Sequence, residues 1–192
     1  LHPRGKLDAA AYARLGSVYE RMAALEPWAR DTQSVAEIGV LMTETGPRFH
    51  VVGREHDEGV LRVLLELHLP FHFLDSAADL TAYKLIIAPD TLPFDQALAA
   101  KVQQYVANGG KLLLSHRAGL TPGADRFALD LGIDYLGDAP HSPDYLVAGS
   151  QLRAPLTDYQ QVLYDRGSRV RALAGTEILA QVGEPYFSRT PE

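Results

Sequence analysis

The chain has 192 residues, 46% of them hydrophobic and 22% charged, with a formal net charge of -6 and no cysteine. That composition suits one globular domain with a core of its own plus an additional segment. It excludes disulfides, thiolate metal sites and thiol catalysis, and it gives no electrostatic reason to bind nucleic acid or an anionic membrane.

No apolar run approaches the roughly 20 residues needed to cross a bilayer, and no secretory leader is visible. A cytoplasmic location is the expectation. The first residue is Leu1, not methionine, which points to a piece of a longer protein.

The first predicted element is a helix in the segment that runs to about Gln33. Asp8 is its N-cap, and Tyr12, Leu15, Tyr19, Met22 and Leu25 share one stripe. Pro27 is expected to stop it just after Glu26. Residues 1–34 therefore read as a tether helix and 35–192 as the main α/β domain. An isolated amphipathic helix needs a partner for its apolar stripe.

The sheet begins with a strand over Ile38 to Met42. A loop rich in Gly, Pro and His follows from Thr43 to Asp57, and Val60, Leu61, Leu64, Leu65 and Leu67 mark a helix. Phe71 to Leu74 is the second strand. Leu85 to Ala88 is a wholly apolar run, as expected of a parallel strand covered on both faces. Asp95 caps the next helix, whose inner face carries Leu98, Val102, Tyr105 and Val106. Asn108-Gly109-Gly110 ends that helix by supplying left-handed backbone, and Leu112 to Leu114 form the fourth strand. Strands alternating with helices imply right-handed parallel units and a core strand order of 2-1-3-4, as in flavodoxin-like sheets.

Beyond Leu120 the periodicity weakens. Asp125 to Leu131 reads as a short helix. Tyr145 to Val147, Gln161 to Tyr164 and Glu177 to Val182 read as strands, some of them extending the sheet in antiparallel fashion.

In such a sheet, ligands bind outside the carboxyl ends of the strands where the strand order reverses. That rule selects Thr43, Glu44, Asp90, Thr91, His116 and Arg117 as candidate ligand-binding residues. The bland alternative is that these polar groups only solvate strand ends.

Specific chemistries fare poorly. Thr43-Glu44-Thr45-Gly46 has the look of a flavin-phosphate loop, but Pro47 removes a backbone donor and the helix starts too far downstream. Ser115 and His116 are chain neighbours, which does not put a base within the about 3 Å that a serine nucleophile requires. No G-x-S-x-G turn occurs. His68 and His72 would suit a metal on a helix, but Pro70 lies between them. Glu44 and Asp90 are the one acid pair that topology brings together for glycoside chemistry. No catalytic residue, metal site or cofactor is assigned.

Four segments carry a family resemblance. They are LHPRGKLDAAAYARLG at the start, EPWA at Glu26 to Ala29, YKLIIAPDTLPFDQALAAKVQQYVANGGKLLLS from Tyr83 to Ser115, and TEILAQVGEPYFSRTPE at the end. Together they resemble the domain that follows the catalytic barrel in glycoside hydrolases related to fucosidases and β-galactosidases. That domain is akin to the β-galactosidase trimerisation domain, with a class I glutamine-amidotransferase-like fold. The resemblance implies a three-layer sandwich with a mostly parallel sheet and an extra N-terminal helix. It also implies a preceding barrel that bears the catalytic carboxylates and a homo-oligomeric assembly. The amidotransferase relatives carry a cysteine at the turn after the strand matching Lys111 to Leu114, where this chain has Ser115-His116-Arg117. The expected function is an accessory domain, for oligomerisation or for covering an active-site rim, without catalysis of its own. The rival is an independent small-molecule-binding or hydrolytic domain using Glu44, Asp90 and His116 in the strand-end crevice.

Overall fold

The computed structural model describes residues 5–42, 55–123, 125–152 and 159–188. The chain divides into two compact units, Leu1–Val35 and Ala36–Glu192.

The first unit is helix α1, Ala9–Ala29. Asp8 caps it by accepting the Ala11 N–H at 2.8 Å, which satisfies one of the donors left orphaned at a helix start. Pro27 does not stop the helix at Glu26, as its sequence suggested. It is accommodated in the last turn, where only the bond from its own missing N–H is lost, and the Arg30 N–H still reaches the Glu26 carbonyl at 3.0 Å.

The second unit is built on a four-stranded parallel sheet. Its strands are β1 (Ile38–Leu41), β2 (Phe71–Leu74), β3 (Leu85–Ala88) and β4 (Lys111–Leu114), in the order β2-β1-β3-β4. Helix α2 (Glu55–Glu66) joins β1 to β2, and α3 (Gln96–Ala107) joins β3 to β4. The strand order and the parallel pairing match the sequence reading.

The two helices take opposite faces because the strand side chains alternate. Val40 and Ile87 pack with Leu64 of α2. Leu41, Ile86 and Ala88 pack with Leu98, Val102 and Tyr105 of α3 and with the loop residues Leu92 and Phe94. Phe94, Val102 and Ile86 are essentially sealed from solvent, so this face holds the larger core. Asp95 caps α3 through the Leu98 N–H at 2.8 Å. At its other end Gly109 takes φ 93, a left-handed turn that glycine enters without steric penalty.

The remainder departs from the sequence reading. Asp125 to Leu131 is not a helix. The chain there makes turns and a single bridge between Leu120 and Phe127. Nor do the later strands extend the parallel sheet. Strands β5 (Ile133–Asp138) and β8 (Ser168–Ala172) pair antiparallel as a two-stranded sheet. Strands β7 (Gln161–Leu163), β6 (Asp144–Ala148) and β9 (Ala180–Gly183) form a separate three-stranded one. Both edges of the parallel sheet, β2 and β4, are thereby left unpaired by any further strand among the described residues.

Candidate functional site

The carboxyl end of the parallel sheet is organised by Asp90, just past β3, and Ser115, just past β4. The Ser115 hydroxyl donates to Asp90 Oδ1 at 2.5 Å and accepts the Asp90 backbone N–H at 3.1 Å. The Arg117 N–H donates to the Asp90 carbonyl at 2.8 Å. These bonds stitch the two strand ends together. Hydroxyl and carboxylate are bonded to each other in the latch, and among the described residues no imidazole is hydrogen-bonded to the serine.

His116 forms the elbow that follows β4, with φ 48. This left-handed conformation is uncommon for a residue with a Cβ. Its Nδ1 lies 3.1 Å from the Ser168 hydroxyl of β8, so the ring is turned toward the antiparallel sheets. Arg117 faces the same way, with Nε 3.7 Å from Asp138 Oδ1. The Tyr135 hydroxyl donates to that oxygen at 3.0 Å. Burial, then the bond to the Asp138 carboxylate, raises the Tyr135 phenol above its ordinary value.

Of the six sequence candidates, Asp90 and the Arg117 backbone are joined. The His116 and Arg117 side chains serve the interface with β5 and β8, and Thr91 is exposed. Thr43 and Glu44 lie outside the described residues, as does the flavin-loop motif they begin. Next to the latch is a recess of about 190 Å³ walled chiefly by Leu41, Met42, Leu92, Pro93, Leu98 and Pro122. It is small and apolar compared with the roughly 300–1,000 Å³ typical of ligand pockets. A larger cleft of about 690 Å³ lies at the opposite end of the sheet, between Glu37, Tyr83, Lys84, Tyr105 and Lys111. Among the described residues no group of acids and histidines is arranged to hold a metal ion, and no helix is long and apolar enough to cross a membrane.

Sequence reasoning missed Ser168 and Asp144, which the antiparallel sheets bring close to His116. The alternation Ser168-Arg169-Val170-Arg171-Ala172 was the available strand signal. Its polar half hid it.

The geometry describes an α/β domain of the doubly wound kind, with His116 at the elbow after β4. Residues 54–138 match the β-galactosidase trimerisation domain, and the chain resembles that domain. Among solved structures, the α-L-fucosidase isoenzyme 2 from Paenibacillus thiaminolyticus is similar at 32% identity with a TM-score of 0.80, over 99% of this chain and 29% of that one. The β-galactosidase from Bacillus circulans sp. alkalophilus is 19% identical with a TM-score of 0.70, over 97% and 30% of the two chains. The β-galactosidase from Rahnella sp. R3 is 17% identical with a TM-score of 0.72, again over 97% and 30%. The two β-galactosidases share the fold. The chain spans less than a third of the length of each of these three relatives. No curated protein matches it.

Proposed function

We propose that this chain is the accessory domain of a longer glycoside hydrolase, holding copies of that enzyme together beside a preceding catalytic barrel. The observation that carries the reading is the match of residues 54–138 to the β-galactosidase trimerisation domain. The latch supports it, since Ser115 and Asp90 bond each other and, among the described residues, no imidazole is bonded to the serine. The open β4 edge supports it too, with Leu113 52% exposed and Val106 of α3 43% exposed nearby. Unpaired edges and exposed apolar residues favour contact with another chain.

Residues 1–34 act as the tether between the barrel and the α/β domain. The apolar stripe of α1 is exposed at Tyr12, Leu15, Tyr19, Met22 and Leu25, and a neighbouring surface of the parent protein covers it.

Sedimentation equilibrium on the chain tests the assembly role. The expected mass is three times the 21.0 kDa of one copy, with no hydrolysis of aryl galactosides or fucosides. A monomer across the concentration range would defeat the assembly role. Turnover by the chain alone would defeat the accessory reading altogether and favour a hydrolytic site around Asp90 and His116.

A further inference from the structure

A groove of about 470 Å³ runs beside the β4 edge of the parallel sheet. Val106 of α3, Leu112, Leu113 and Leu114 of β4, and Leu129 and Leu131 further on form its apolar lining, with Gln103 and Asp130 as the polar members. The groove follows from how the two helices cover the sheet. Leu112 and Leu114 pack into the core beneath α3, so Leu113 faces the opposite layer. There Leu64 of α2 covers Val40 and Ile87. Leu113 is the register partner of Ile87, one strand further out. It lies beyond that cluster and is 52% exposed.

The backbone of the edge is open as well. The Lys111 and Ser115 N–H groups donate to the Lys84 and Ala88 carbonyls on the β3 side. Bonding direction alternates along a strand, so the N–H and C=O of Leu112 and Leu114 point outward, and among the described residues no further strand receives them. Soluble proteins blunt such an edge with charges, prolines or bulges, or cover it. In β4 only Lys111, at the first position, is charged, and there is no proline.

We propose that a second copy of this chain covers the β4 edge, its apolar side chains filling the groove. This contact rests on the assembly role proposed for the chain and gives that role a surface. Position selects the occupant. Every lining residue of the groove falls within 54–138, the stretch that matches the trimerisation domain. Helix α1 and strands β7 to β9, which also carry exposed apolar residues, lie outside it. A threefold ring joins one patch to a different patch on the next copy, and a concave apolar groove is suited to the receiving half of such a contact.

Sedimentation equilibrium on the full chain tests the contact, using Leu113→Glu, Val106→Glu and, for comparison, Val63→Glu at an exposed position of α2 within the same matched stretch. The unaltered chain and Val63→Glu are expected at three times 21.0 kDa. Leu113→Glu and Val106→Glu should each weaken association about tenfold or more, because a charge enclosed at a desolvated contact has no partner. A monomeric unaltered chain would overturn the assembly role, and this contact with it. A trimeric unaltered chain whose Leu113→Glu and Val106→Glu forms stay trimeric would overturn the groove alone, as would equal disruption by Val63→Glu. Circular dichroism reports whether the variants fold. Should both groove variants fail to fold, Gln103→Cys decides. The chain has no cysteine, so this single thiol should react with iodoacetamide severalfold more slowly in the associated chain than after dilution to monomer. Equal rates would overturn the groove.

Discussion

Gly110, between α3 and β4, shows how much can rest on a missing methyl group. A Cβ there would lie 2.2 Å from Cζ of Tyr105, inside the ring. The Tyr105 hydroxyl donates to the carbonyls of Tyr83 and Lys111, at 3.2 and 3.3 Å, and so ties α3 to the starts of β3 and β4. Gly110→Ala must push the ring off those bonds, and urea denaturation should show a loss of about 1–3 kcal/mol. Burial raises the Tyr105 phenol above its ordinary value of 10.0. The folded state therefore holds that proton after the unfolded chain has released it, so its contribution is complete below pH 10.0 and falls away as pH rises through the folded value. Tyr105→Phe should flatten the alkaline fall in stability between pH 9 and 11, measured by urea midpoints at each pH. The glycine pair was legible in the sequence as a helix stop. That Gly110 is needed for an aromatic ring to lie over it was not, because the reason is a contact and not a backbone preference.

At the scale of elements, the parallel core was legible because each strand is a short apolar run between turn signals. Asp95 was legible for the same local reason, its carboxylate lying before the first turn of α3. Asp95→Ala should cost about 1 kcal/mol by urea denaturation, as loss of a helix cap does. The antiparallel strands were harder. β5 was not read as a strand at all, and it pairs with β8 across a long stretch of chain, Ile133 opposite Ala172. Neither is an apolar run. Asp134 and Arg171 instead bond across the pair at 2.6 Å, Arg171 largely and Asp134 partly exposed. Such exposed pairs add little to stability, about 0–1 kcal/mol, so the sequence carries little trace of them. The expected helix over Asp125 to Leu131 fails for a related reason. Thr121 donates its hydroxyl to Asp125 at 2.7 Å, and that bond, first among the causes, lowers the Asp125 carboxyl. A side chain that bonds locally in this way stabilises a turn in competition with a helix.

For the molecule as a whole, topology located the strand-end crevice and could not say what fills it. Of the candidate residues chosen by that rule, Asp90 belongs to a latch and His116 and Arg117 to an interface, because the antiparallel strands draw those two toward themselves. Asp144 was invisible for the converse reason, since its environment is assembled from segments that only the folded chain brings together. Removing the latch is informative. Ser115→Ala takes one partner from Asp90 and from its N–H, and should lower global stability by about 1–3 kcal/mol in urea. Its oligomeric mass by light scattering should remain that of the unaltered chain.

The elbow at His116 has a practical consequence. The chain contains no cysteine, and position 116 is exposed in a bend that thrusts its side chain off the end of a strand. His116→Cys would create the single thiol of the polypeptide at that elbow. Iodoacetamide should then add one carbamidomethyl group per chain by intact-mass spectrometry, giving a chemical handle for dyes or spin probes that report on whatever approaches that face.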